Sequence, residues 1–561
     1  DAECHKNGNF IKALQLGIKL RISFYILIYI LEGLTDIVTA SENYSHIDNK
    51  DRRYRQFPVI VVFEGELFLT SDPSRFPGQD LAVYDLIVVT VNYRVNAFAN
   101  ALQWIIENIE MFGGDIRSIT LLGHSAGAAS AAFHLTSERS RGFFQRVILL
   151  SGSSLAPWAV NRRPKIATAS LARELGCNFN TSSRDVSLYM LRCLQRRDLT
   201  LLDIVNRVEK MVESGNPYNM FAPVYDGHLS RERRFVGAEG PLRRLESVPT
   251  LHPVLIGVSQ LDGSVMLYIK REINYMSYSY LTRYGKEVLI PLINMMSGYE
   301  GSGLSLLNHL IDFTYLQRAS GGEKNNLIQS IVQMFTDSFF TAPVIRMAET
   351  LARNGLDLHF FVNDFVSPDI YKSPSNLTGA LHGSDIVFLF GPAAYTRIFR
   401  QPLTYDQAKL SETLKKMVYS FAVRGEPTLV GASFPPLPRW EKYNLRDPVY
   451  ALLYTGQLHR GFKLHDLAFW NFLLPDLARI SNSQRPEVTP PTYFPTEYTY
   501  PTYPFPPSTE SPIVGSPEET SYQSAVWVLV AVVLLMIISI TTFIICARRR
   551  QRLSSATLNV P

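Results

Sequence analysis

Residues 118–128, Ser-Ile-Thr-Leu-Leu-Gly-His-Ser-Ala-Gly-Ala, are the part of this chain whose types and spacing can do chemistry. A short apolar run leads into Gly-x-Ser-x-Gly, and an alanine-rich, helix-forming run follows. That order puts Ser125 on a tight turn between a strand and a helix, with its hydroxyl held out from the end of a sheet. Gly123 and Gly127 leave room for such a turn. The helix N-terminus then offers backbone N–H groups, that of Ala126 first, to a developing oxyanion. The pentapeptide alone recurs by chance, and its place between strand and helix is what makes it informative. The alternative is an inert serine in a turn of small residues.

A serine hydroxyl is a weak nucleophile unless a base takes its proton, and the base needs a carboxylate to fix its tautomer. Beyond Ser125 the chain supplies an acid and then a histidine. Asp262 lies in Ser259-Gln260-Leu261-Asp262-Gly263, just after the apolar run 254–258. His382 lies in Gly379-Ala380-Leu381-His382-Gly383-Ser384, ahead of another apolar segment. By position alone, Asp262 reads equally as a turn residue and His382 as a helix cap. The chemistry this set would perform is acyl transfer through an acyl-serine, which needs no metal and no cofactor.

Positioning such a set requires a sheet. Apolar, β-branched runs at 59–63, 86–91, 119–122, 147–150, 254–258, 359–362 and 450–454 read as buried strands. Helical patterns lie between them, for instance at 102–109 and 126–135. Alternation of this kind predicts an α/β domain with a mainly parallel sheet covered on both faces. No internal repeat is visible. The chain has 561 residues, 46% hydrophobic and 19% charged, which allows a sizeable core. Its net charge of +5 is small for that length, and no basic footprint for nucleic acid is present.

Residues 525–547 carry no charged side chain, and a helix of that length crosses a hydrocarbon core of ~30 Å. Arg548, Arg549, Arg550 and Arg552 follow directly. The positive-inside rule then places the tail 548–561 in the cytosol and everything before Ala525 outside, as a single-pass type I plasma-membrane protein. Residues 481–524 are rich in Pro, Thr, Ser and Tyr, the composition of an extended stalk open to O-glycosylation. Within the atypical segment 1–45, basic Lys19 and Arg21, the apolar run 22–31 and Val38-Thr39-Ala40 follow the order of a secretory leader. The remaining 46–480 is the catalytic-type domain.

Sequons at Asn43, Asn180 and Asn376 also point outside the cell. Of the four cysteines, Cys4 and Cys546 lie in the terminal segments. Cys177 and Cys193 are expected to close a short disulfide loop in an oxidising compartment, the alternative being two buried thiols. Asn180 would put that loop at the surface.

Several ordered strings carry a family resemblance: Val91-Asn92-Tyr93-Arg94, Glu107-Asn108-Ile109, Phe112-Gly113-Gly114-Asp115 and the serine turn itself. Leu150-Ser151-Gly152-Ser153, Pro157-Trp158-Ala159, Gly379-Ala380-Leu381-His382-Gly383 and Phe469-Trp470-Asn471 continue it. Over residues 58–474 the chain resembles the type-B carboxylesterases, the family of carboxylesterases, cholinesterases and neuroligins. The resemblance implies an α/β-hydrolase fold, with Ser125 as nucleophile, His382 as base and Asp262 as acid, where most members carry glutamate. It also implies pairing of Cys177 with Cys193, a buried Arg94–Asp115 ion pair, and Trp158 near the acyl pocket. Oxyanion donors would come from Ala126, Gly65 and Glu66.

The departures are as specific. Glu66 and Leu67 stand where the family has consecutive glycines, and Glu66 adds negative charge where negative charge must be stabilised. Residues 95–100 form a shorter connection than usual, and Leu467 replaces a cysteine. The family's N-terminal strands are not recognisable before Pro58, so an incomplete N-terminal part is expected. The segment that would carry a choline-binding tryptophan is not recognisable. Two functions follow from the resemblance. One is a membrane-anchored extracellular carboxylic-ester hydrolase acting on a small ester. The other is a catalytically impaired, neuroligin-like adhesion ectodomain with a cell-surface protein partner. Neuroligin-type members typically lack the serine that this chain keeps.

Overall fold

Strand sequences here alternate between two cores, which is the signature of a sheet buried on both faces. Val59, Val61 and Phe63 enter one apolar cluster, and Ile60 and Val62 enter the other. The computed structural model describes residues 26–28, 56–65, 68, 72–91, 98–177, 186–196, 199–213, 222–230, 234–249, 252–317, 319, 322–367, 370, 377–428 and 440–483.

Within these, nine strands form one sheet: β1 (Ile26–Ile28), β2 (Phe57–Phe63), β3 (Ile87–Val91), β4 (Gly114–His124), β5 (Arg146–Leu150), β6 (Val254–Ser259), β7 (Leu358–Asn363), β8 (Val449–Leu452) and β9 (Leu458–Arg460). Their spatial order is β1-β3-β2-β4-β5-β6-β7-β8-β9. Strands β3 to β8 are mutually parallel, while β1 and β9 run antiparallel at the two edges. The α/β class and the mainly parallel sheet therefore match the sequence pattern. One face is covered by helices that include α1 (Phe98–Asn108) and α2 (Ala126–Thr136), the other by α5 (Tyr405–Arg424) and its neighbours.

Two features differ from the sequence reading. The run 119–122 is only the end of β4, which starts at Gly114 and takes in the polar residues Asp115, Arg117 and Ser118. Such side chains break the apolar signal while the backbone continues to pair with β2. A strand also precedes Pro58: Ile26–Ile28, inside the leader-like apolar run, pairs with Val89–Val91 of β3. Arg94, the expected partner of Asp115, lies outside the described residues; Asp115 accepts from Arg117 N at 2.9 Å and Nε at 3.1 Å.

The disulfide Cys177–Cys193 is formed, with its Cα atoms 6.0 Å apart. Leu467, standing where a cysteine was expected, is buried in the larger core instead. Asn43, Asn180, Asn376, the stalk, the run 525–547 and the arginine-rich tail lie outside the described residues. Among the described residues, no helix is long and apolar enough to cross a membrane.

Candidate active site

The C-terminal ends of the parallel strands gather the site. Phe63 of β2 pairs with Gly123 of β4, and His124 of β4 pairs with Leu150 of β5. Ser125 follows at once, with φ 54° and ψ −119°. A non-glycine residue there is strained by about 1–3 kcal/mol and persists only where its surroundings enforce it. The enforcement is visible. Ser125 N–H donates to Leu150 O at 2.9 Å, and Ser125 O accepts from the N–H groups of Ala128 and Ala129 at 3.0 and 3.1 Å. A Cβ on Gly127 would lie 1.8 Å from Phe63 O, and one on Gly152 would lie 2.2 Å from Ser125 O. Only glycine lets α2 start this close to β2 and β5.

Asp262 follows β6, and His382 sits in the loop that leads from β7 to α4 (Ser384–Leu389). Two backbone contacts tie these loops together: Leu261 N–H donates to Ala380 O at 2.9 Å, and His382 N–H donates to Ser264 Oγ at 3.0 Å. The side chains then meet, His382 Nδ1 to Asp262 Oδ1 at 2.8 Å, while Asp262 Oδ2 accepts from Ser259 N–H at 3.0 Å. With Nδ1–H donating to the Asp262 carboxylate, Nε2 is the basic nitrogen. Both residues are buried. Among the described residues, Ser125 Oγ makes no hydrogen bond to His382 Nε2, a contact that commonly tightens only when substrate binds.

Of the three expected oxyanion donors, Ala126 and Gly65 lie among the described residues. Ala126 N–H, the first donor of α2, is engaged by Gly65 O at 3.2 Å. The chain leaving β2 thus turns a carbonyl, rather than an N–H, toward the helix N-terminus. Gly65 is buried, and Glu66 and Leu67 lie outside the described residues. Glu64, also buried, accepts from Asp72 N–H at 3.0 Å.

Aromatic and titratable groups enclose His382. Phe340 and His124 lie against its ring, with centroids at 4.9 and 4.8 Å. Phe340 also touches Trp158, at 5.7 Å, and Trp158 Nε1–H donates to Phe339 O. Trp158 is therefore one ring removed from His382. His124 Nε2 lies 3.8 Å from Asp385 Oδ1, and both side chains are buried. Burial, then the charges of His382 and Arg75, hold His124 well below its ordinary pKa. Burial, then the charge of Asp262, pushes Asp385 up to about 7. The sequence reading missed this pair. His124 sits inside the serine pentapeptide and Asp385 three residues after His382, but their separation along the chain hides the contact. Among the described residues, no group of three His, Cys, Asp or Glu side chains is placed to hold a metal ion.

Residues 38–470 match the carboxylesterase family. The chain belongs to that family. Among curated relatives, neuroligin-3 of Mus musculus is 26% identical over 462 residues, covering 75% of this chain and 52% of that protein. Acetylcholinesterase of Bungarus fasciatus is 27% identical over 470 residues, covering 77% of this chain and 72% of that protein. The neuroligin-like protein glit-1 of Caenorhabditis elegans is 26% identical over 468 residues, covering 75% and 61%. The chain spans about half the length of the neuroligins it matches.

Proposed function

We infer that this carboxylesterase-family chain is a membrane-anchored extracellular hydrolase of small carboxylic esters, built on Ser125, His382 and Asp262. The observation that carries this reading is the buried Asp262–His382 hydrogen bond, 2.8 Å long, at the same sheet edge as the strained Ser125 turn. In this mechanism Ser125 Oγ attacks the ester carbonyl while His382 Nε2 takes its proton. His382 returns that proton to the leaving alkoxide, which gives an acyl-serine and the alcohol. Water, deprotonated by His382, then releases the acid and restores Ser125. Asp262 holds the imidazole tautomer and offsets the charge of the imidazolium. Loss of an oxyanion donor typically costs about a hundredfold to a thousandfold in turnover, so the engaged Ala126 N–H predicts a slow enzyme.

That same engaged N–H favours the second reading, an adhesion ectodomain with a cell-surface protein partner. Fluorophosphonate labelling of the full chain on intact cells separates the two. The hydrolase reading expects labelling that Ser125→Ala abolishes and that His382→Ala slows by on the order of a thousandfold. A folded, surface-exposed chain that takes no label would overturn it in favour of adhesion.

A further inference from the structure

None of Ser125, Asp262 or His382 lines a cleft of about 290 Å³. That volume is at the small end for a ligand pocket. Leu155, Val160, Pro343 and Trp470 give it apolar walls, with Pro343 in the first turn of α3 (Ala342–Arg353). The mechanism above uses none of these residues.

Three polar features converge on the cleft. Arg162, exposed, and Arg346, half-buried, both line it. Neither guanidinium makes an ion pair or hydrogen bond with a described residue. Tyr299 shares the lining with both cations. Burial pushes its hydroxyl up to about 12, and Arg346 and Arg162 each act against that rise. Third, Ser154 is 1% exposed and its hydroxyl has no hydrogen-bond partner among the described residues. A buried hydroxyl left unpaired is costly, and a ligand acceptor would relieve that cost. Glu239, the acidic residue in the lining, is hydrogen-bonded to Arg244 at 3.2 Å, and Glu349, on the same helix as Arg346 but outside the lining, interacts with the Arg346 charge.

Planar guanidinium forks match carboxylates in shape as well as charge. Apolar walls beside them favour an acid with an apolar body over a bare inorganic anion. We propose that this cleft binds a small organic carboxylate with an aryl or alkyl body, held by Arg162, Arg346 and the Ser154 hydroxyl. The site is independent of the Ser125 chemistry.

Calorimetric titration of the full chain with 3-phenylpropionate and with its neutral amide tests this. Saturable binding of the acid is expected, with the amide at least about tenfold weaker. Arg162→Gln and Arg346→Gln should each weaken the acid at least about fivefold, while Arg117→Gln, at an exposed site elsewhere, leaves it unchanged. Ser125→Ala should bind the acid as the parent chain does, which keeps this result separate from the hydrolase reading. The proposal is overturned if acid and amide bind alike, if both arginine variants bind like the parent, or if no saturation occurs up to about 10 mM. Circular dichroism of each variant distinguishes lost binding from lost folding.

Discussion

Asp385 is the residue whose environment makes the sharpest demand. Its carboxyl is fully buried, bonded through Oδ1 to Ile386 N–H at 2.9 Å, with Oδ2 unpartnered among the described residues. The cheapest way to bury such a group is to keep its proton. Because folding raises its pKa from 3.8 to about 7, the folded chain holds one more proton than the unfolded chain between those values. Stability from this group is present at low pH and is lost as pH rises through about 7, with a slope of at most about 1.4 kcal/mol per pH unit. Asp385→Asn removes that titration. Urea unfolding of parent and variant at pH 5 and pH 8 should show the variant losing less stability between the two. Equal losses would mean that Asp385 is ionised throughout. His134 and His359, depressed to about 3 and about 4, shift stability in the opposite sense, but they are common to both chains and cancel in the comparison. Ser125 stands out in the sequence because its pentapeptide lies between an apolar run and a helix-forming one, whereas Asp262 and His382 read equally as turn and cap residues until the family resemblance singles them out. Sequence alone could not bring out Asp385 with His124, since that contact exists only once the β4 turn and the loop after β7 have folded together.

The loop that leaves β2 decides how well the serine turn can work. Most elements around it were legible: strands buried on both faces announce themselves as aliphatic runs, and the alanine-rich helix after Ser125 does the same. The polar first half of β4 and the short β1 were not, because their pairing depends on neighbours rather than on their own pattern. Also hidden was the π-helical turn Thr336–Thr341, which brings Thr336 Oγ1 to Gly263 N–H at 2.8 Å and Phe340 to the His382 ring. At the β2 loop, Glu66 and Leu67 stand in place of the family's glycines and lie outside the described residues. Gly65 O occupies the Ala126 N–H that an oxyanion would need. Restoring glycine freedom should let the backbone turn donors inward. Glu66→Gly/Leu67→Gly is therefore expected to speed fluorophosphonate labelling of Ser125 by roughly ten- to a hundredfold. An unchanged labelling rate in a folded double variant would mean that some other feature limits the site.

At the scale of the whole molecule, the proposed anchoring raises the question of which side of a membrane the domain faces, because compartment governs both its disulfide and the access of the proposed substrate. The Cys177–Cys193 bond is a mark of an oxidising environment. In the proposed reading, the uncharged run 525–547 with four arginines just beyond it carries the same orientation from the other end. The orientation makes two linked predictions. An epitope tag placed after Pro561 should be reached by antibody only in permeabilised cells, whereas a tag placed within the stalk at 481–524 is reached on intact ones. Truncation before Ala525 should release the domain into the medium with the Cys177–Cys193 bond intact by non-reducing mass analysis. Access to the Pro561 tag on intact cells would reverse the orientation, and the disulfide would then need a source of oxidation that a cytosolic domain does not have.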